Sequence, residues 1–161
     1  MCEYCGCQQI ATIAELTREH DAVVTLAAET QNALADRRLQ DVVNGCAQIL
    51  VTLAPHTVVE EEGLFPAMAN EFPDHIDALR SEHREIEKVL GEAGQCADSF
   101  PDDPTWPERL TAVLHLLRDH ILKEQDGVFP AALIALDPDQ WERIEEIRAR
   151  VSATSMERDP L

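Results

Sequence analysis

The chain has 161 residues, a formal net charge of -18, few aromatics and five cysteines. That charge argues against a nucleic-acid partner, which needs a basic footprint, and against docking on an anionic membrane; the length suits one domain with short tails. No secretory signal is visible at the N-terminus, and no apolar run approaches the roughly 20 residues that span a bilayer. Five cysteines, three of them crowded at the start, make no disulfide framework, so a reducing cytoplasm is the expected compartment.

Residues 1–8 show no periodicity and read as a cysteine-rich tail. From about Ile10 to Leu34 a helix is expected. Ile13, Leu16, His20, Val23, Ala27, Thr30 and Leu34 recur at steps of three and four, the seam of a bundle helix. After a polar turn at Asp36, Arg37 and Arg38 comes a second helix with the seam Val42, Cys46, Ile49, Leu53, His56 and Glu60. Pro55 inside it is expected to kink the helix just before His56, and Pro73 implies an end near Asn70. A third helix, capped by Asp74, carries Ile76, Leu79, His83, Ile86, Leu90, Ala93 and Ala97 on its seam. A loop holding Pro101, Pro104 and Pro107 ends it, and Pro107 suits the first turn of a fourth helix with seam Leu110, Val113, Leu117, His120 and Glu124. Asp137, Pro138 and Gln140 form a helix-start signal for a short C-terminal fifth helix with Trp141, Ile144, Ile147 and Val151 on one side, and the last ten residues look frayed. The expected division is a tail over 1–8, a helical domain over 9–136, and a C-terminal helix and tail over 137–161.

The chain looks duplicated. The stretch from His56 to Ala67 aligns without a gap with that from His120 to Ala131, sharing His, Glu, Gly, Phe, Pro and Ala. Leu16, Glu19 and His20 match Leu79, Glu82 and His83. Two helical hairpins of one design, neither able to bury its apolar stripe alone, would close into an all-α four-helix bundle with pseudo-two-fold symmetry.

Each of the four helices places a histidine on its apolar seam, and the second and fourth add a glutamate one turn later. A single seam histidine is most often a satisfied core residue. A carboxylate without a partner in a bundle core costs several kcal/mol, and no basic residue falls on the seams to pair Glu60 or Glu124. Six converging ligands are too many for one tetrahedral zinc and suit a pair of iron or manganese ions. In that arrangement His20 and His56 serve one ion, His83 and His120 the other, and Glu60 and Glu124 bridge. His115 is turned off its seam and His75 lies two turns from His83, so both read as surface residues. Glu87, four after His83, reads either as a terminal ligand or as a solvated charge beside Lys88. Glu61, Glu62, Gln125 and Asp126 read as helix-surface or outer groups around the ligands. Phe65 and Phe129, with Pro66 and Pro130, are expected to close the bundle end over the site.

These residues resemble the hemerythrin-like, or HHE cation-binding, family: a lone histidine on the first helix, His-x-x-x-Glu followed by Phe-Pro on the second, Glu-His on the third and His-x-x-x-Glu on the fourth, from Leu16 to Ala131. The resemblance implies an up-down four-helix bundle around a non-haem di-iron centre, carboxylate- and oxo- or hydroxo-bridged, with ligands at His20, His56, Glu60, His83, His120 and Glu124. Oxygen-carrying members have a fifth histidine where this chain has Glu87, and an aspartate five after the last histidine where this chain has Glu124 at four. One imidazole fewer makes a harder, more anionic site. The resemblance therefore implies chemistry with dioxygen or hydrogen peroxide: peroxide decomposition, ferrous-iron oxidation, or sensing of oxygen or iron without turnover.

Cys2, Cys5 and Cys7 stand outside this pattern. Three readings remain open: a second metal site completed by Cys46, Cys96 or a protein partner's group, a redox thiol, or incidental thiols.

Overall fold

The computed structural model describes residues 10–95 and 103–157; Cys2, Cys5, Cys7, Cys96, Ala97 and the first proline of the expected breaker loop lie outside them. Among the described residues all regular structure is helical: α1 (Ala11–Ala35), α2 (Leu39–Val59), α3 (Phe65–Met68), α4 (Pro73–Glu92), α5 (Trp106–Lys123), α6 (Phe129–Ala135) and α7 (Pro138–Glu157). The four long helices before α7 pack in a ring, α1 on α2, α2 on α4, α4 on α5 and α5 on α1.

The seams predicted from spacing are the buried faces. On α1, Ile13, Leu16, His20, Val23, Ala27 and Thr30 are buried, with Leu34 half-buried. The α1–α2 crossing is tight at Gly45, where a Cβ would fall 2.1 Å from the Thr30 hydroxyl oxygen. That hydroxyl is itself engaged, donating to the Leu26 carbonyl at 2.7 Å. The turn between them is closed by Arg37 N–H to Leu34 O (3.1 Å) and Arg38 N–H to Ala33 O (2.9 Å), with Arg37 in the left-handed region at φ 56.

Several local expectations are corrected. Pro55 lies inside α2, which runs unbroken from Leu39 to Val59. The hydrogen bond that proline removes belongs to the carbonyl of Val51, a residue 74% exposed, where water can satisfy it. Asp74 is not the cap of α4. Phe72 occupies that place, Pro73 is the first helical residue, and Asp74 lies in the first turn, where its charge complements the helix dipole. The α-helix of the third seam stops at Glu92 and a single tighter helical turn over Ala93–Gln95 follows, with Ala93 still buried. The stretch Leu39–Met68 is long and apolar enough to cross a bilayer by length and composition. That overturns the expectation of no such run, and two polar residues within the stretch, His56 and Glu60, are buried among the packed helices.

Each repeated stretch contains a feature its spacing does not announce. The chain opens into a π turn at Glu60–Leu64 and again at Glu124–Val128, with Phe65 N–H bonded to Glu60 O and Phe129 N–H to Glu124 O, five residues back. Pro66 and Pro130 supply the reason. Neither has an N–H for the carbonyl four residues earlier, and each ring would strike that carbonyl. One extra residue in the turn relieves the clash and brings Phe65 and Met68, or Phe129 and Ala132, onto the buried face.

Two apolar clusters result. One contains Val23, Ala27, Ile49, Leu53, Ile86, Leu90, Leu110 and Leu117; the other contains Ile13, Leu16, Leu64, Phe65, Leu79, Phe129 and Ile144. On every seam the histidine falls between residues of the two clusters, so a single polar layer is sandwiched between two apolar cores.

α7 is not short. It runs 20 residues, through much of the stretch expected to fray, and residues 158–161 lie outside the described part. Its start signal works as read: Gln140 N–H donates to Asp137 Oδ1 (2.8 Å), and Asp137 N–H donates to Gln140 Oε1 (3.0 Å). Ile144 and Ile147 lie over the first π turn, where a Cβ on Gly63 would sit 3.3 Å from each. Gly127, the equivalent in the second π turn, has open space instead. It borders an apolar groove of about 340 Å³ lined by Met68, Phe72, Ile76, Leu79 and Val128 among others. The pseudo-symmetry of the duplicated halves is thus broken by α7.

Candidate metal centre

The four seam histidines and two seam glutamates meet in the polar layer, all buried, with Glu60 and Glu124 fully so. Their ligand atoms form two groups, His20, His56, Glu60 and Glu124, and Glu60, His83, His120 and Glu124. Within each group one atom per residue lies within 4.8 Å of all the others. Both glutamates belong to both groups. Glu60 Oε2 faces His56 Nε2 at 3.2 Å and His83 Nε2 at 3.4 Å. Glu124 Oε2 is 3.1 Å from His20 Nε2, and its Oε1 is 2.9 Å from His120 Nε2.

The donor set fits cations. None of the four carboxylate oxygens of Glu60 and Glu124 has a hydrogen-bond partner in proper geometry, although all are buried. Such groups are costly unless positive charge sits beside them. The imidazole nitrogens also point at one another: His20 Nε2 is 3.1 Å from His56 Nε2, and His83 Nε2 is 2.9 Å from His120 Nε2. Mixed imidazole and carboxylate donors in this number suit iron or manganese.

Outside these six residues a ring of acidic groups sets the ring tautomers. His56 Nδ1 donates to Glu19 Oε2 (2.9 Å), His120 Nδ1 to Glu82 Oε2 (2.8 Å) and His83 Nδ1 to Glu61 Oε1 (2.9 Å). Ionised carboxylates only accept, so each of these rings carries its proton at Nδ1 and turns Nε2 inward. Glu19 is held in turn by Arg148 of α7, at 2.7 and 3.0 Å, and Glu82 by Lys123 of α5. His20 Nδ1 has no partner. Phe129 stacks on the His20 ring (5.6 Å between centroids) and Phe65 on His83 (5.5 Å), so the two phenylalanines cover the site from within an apolar core rather than at a bundle end, and Pro66 is exposed.

Electrostatics follow from the two inner carboxylates. Burial alone would push His56 down, but the adjacent Glu60 and the Glu19 contact raise it to about 10. Burial likewise opposes the rise of His120, which Glu124, Glu60 and Glu82 bring to about 9. His83 is also raised, burial being outweighed by Glu60. Glu60 is held well below the usual carboxylate range, since His56 and its neighbours outweigh the effect of burial. Burial and the nearby Glu60 work against ionised Glu124, and His120 and His20 still bring it below its ordinary value. The spot demands positive charge, whether as protons on imidazole or as metal cations.

Glu87 is exposed and belongs to neither group, but with Thr57 it lines a cavity of about 10 Å³ beside the histidines, walled by Leu53, Ile86, Leu117 and Ile121. His75 and His115 are exposed, as read. Glu62 is exposed and bonded to Arg150 of α7 at 2.5 Å, while Gln125 and Asp126 lie off the buried layer. Cys46 is buried in the core. Glu19, Glu82, Lys123 and Arg148 were given no role by sequence reasoning. The Glu-His pair at 19–20 and again at 82–83 was the available signal; it counted there as evidence of duplication and, on the third helix, as part of the family pattern, with no role given to the glutamate.

Neither the curated proteins nor the solved structures contain a match to this chain. A family model, the hemerythrin HHE cation-binding domain, matches residues 11–132, from the start of α1 into α6. With the buried groups of four histidines and two shared glutamates lying inside that span, the chain belongs to the hemerythrin HHE cation-binding family.

Proposed function

We propose that the chain is a non-haem di-iron protein of up-down four-helix-bundle design that reacts with dioxygen or hydrogen peroxide. The single observation that carries this reading is the sharing of Glu60 and Glu124 between two buried ligand groups, which suits a carboxylate-bridged pair of ions rather than one. His20 and His56 would hold one ion and His83 and His120 the other. Iron bound there supplies redox chemistry toward oxygen and peroxide. The up-down arrangement is supported by seam order: α1 and α4 run from the Leu16 cluster to the Leu53 cluster, and α2 and α5 run back.

The protein's own residues do the rest. Glu19, Glu61 and Glu82 orient the rings and raise their basicity as ligands. Phe65, Phe129 and the two apolar clusters keep bulk water out of the layer. The cavity at Glu87 and Thr57 has room for about one water-sized molecule, which restricts a reactant to the size of oxygen, peroxide or water. Cys2, Cys5 and Cys7 remain candidates for a second metal or a protein partner, and a reducing cytoplasm remains our expectation. Protein grown with iron and purified anaerobically is expected to carry two irons per chain, to change its optical spectrum on addition of oxygen or peroxide, and to decompose peroxide at steady state. A stable adduct without turnover would instead make it a sensor or iron-handling protein. A metal content well under two per chain would overturn the di-iron reading.

A further inference from the structure

The two halves of the centre differ in their outer contacts, and we propose that the two metal positions are consequently unequal: the position at His83 and His120 is the tighter and fills first, and Arg148 weakens the position at His20 and His56. This rests on the two-metal reading above. At the first position both imidazoles are backed by carboxylates, His83 by Glu61 (2.9 Å) and His120 by Glu82 (2.8 Å). The cation facing Glu82 is Lys123, whose side chain is 52% exposed and therefore screened by water. At the second position only His56 is backed, by Glu19 (2.9 Å), and His20 Nδ1 has no partner.

Glu19 is also compensated in a way Glu82 is not. The Arg148 guanidinium grips both of its oxygens at 2.7 and 3.0 Å, and the Arg148 side chain is only 10% exposed. Its Nε also lies 3.3 Å from Glu15, whose side chain is 42% exposed, so that second pairing is weakened by water. A fixed, desolvated positive charge thus stands behind the His20 and His56 position, and two carboxylates stand behind the other. A carboxylate behind a metal-binding imidazole strengthens it as a ligand, and losing such a partner typically costs about 10- to 100-fold in metal affinity.

The test is an anaerobic calorimetric titration of the full chain with Fe(II). Wild type is expected to bind in two steps at least tenfold apart. With ⁵⁷Fe, one equivalent should give a single quadrupole doublet, and a second doublet should grow only with the second equivalent. Glu61→Gln is expected to weaken the first step about 10- to 100-fold and spare the second; Glu19→Gln should weaken only the second. Arg148→Met, which keeps an apolar stem in place, should tighten the second step and narrow the gap. Arg148→Lys, retaining the charge, should leave the gap in place, which a merely structural role for the guanidinium would not produce. Two ions bound with equal affinity, or a first step weakened by Glu19→Gln, would overturn the inference while leaving the di-iron reading intact. Failure to bind two ions would overturn both.

Discussion

Replacing Glu60 by glutamine tests the shared carboxylate directly. The change keeps the shape and removes the charge. Because Glu60 Oε2 faces His56 of one pair and His83 of the other, both metal positions lose a ligand at once. An ion that binds only the folded chain stabilises it by about 4 kcal/mol at a free concentration 1,000 times its dissociation constant. Two such ions contribute about 8 kcal/mol, which for a domain of this size is roughly 16–32 °C in Tm. Glu60→Gln is expected to lose most of that shift, and to retain well under one iron per chain. His20→Ala, which removes an imidazole from one group only, should keep about one iron and about half the shift. Thermal denaturation with and without anaerobic Fe(II), paired with metal analysis of the desalted protein, reads both quantities. A Glu60→Gln protein that still held one iron with unchanged affinity would refute the sharing.

The pH dependence should change sign with metal. His56 and His120 are raised to about 10 and about 9 from an unfolded value of about 6.5. The metal-free chain then holds protons that the unfolded chain has released. Their contribution is fully present below about pH 6.5 and is lost as pH rises through about 9 to 10. Glu60 and Glu124 are lowered, so their contribution is lost toward acid, as pH falls below the ordinary carboxylate range. Metal binding displaces the histidine protons, so its stabilising effect should grow with pH; urea titrations with chelator or with metal, between pH 6 and pH 8.5, should show opposite slopes. Gly45→Ala should destabilise the chain by about 1–3 kcal/mol through overpacking against Thr30, measured by the same denaturation, and a neutral result would mean that the α1–α2 crossing is looser than described.

Much of the site could be read from spacing alone because the period of a helix fixes which side chains share a face. His20, Val23 and Ala27, or His83, Ile86 and Leu90, declare one buried side without any tertiary knowledge. The glutamates followed from elementary cost: a buried carboxylate with no basic neighbour needs a cation. What stayed hidden has physical reasons too. The π turns depend on Pro66 and Pro130 meeting carbonyls four residues back, a backbone clash that hydrophobic periodicity does not register. That α2 runs unbroken through Pro55 was not legible either, because the orphaned carbonyl belongs to Val51, a residue facing solvent. Glu19 and Glu82 sit one residue off their seams, so a seam-based reading skips them although each reaches across to the next helix. Arg148 lies on a helix that looked like an appendage. Its hydrogen bonds to Glu19 tie α7 into the centre, so residues 137–157 belong with the helical ring in any account of the site.

The Arg148–Glu19 contact also bears on the order of assembly. It joins residues 129 apart in sequence, whereas the contacts that orient His56, His83 and His120 join residues 37, 22 and 38 apart. Long loops close late, at a greater entropic cost than short ones. A chain emerging from its N-terminus would complete all six inner residues and three outer carboxylates before α7 exists. Until that helix docks, Glu19 lacks its guanidinium, and the two halves differ chiefly in the Glu61 carboxylate behind His83, which His20 lacks. Metal taken up during synthesis would meet two sides that differ by one carboxylate, and the finished chain would add a buried guanidinium to that difference.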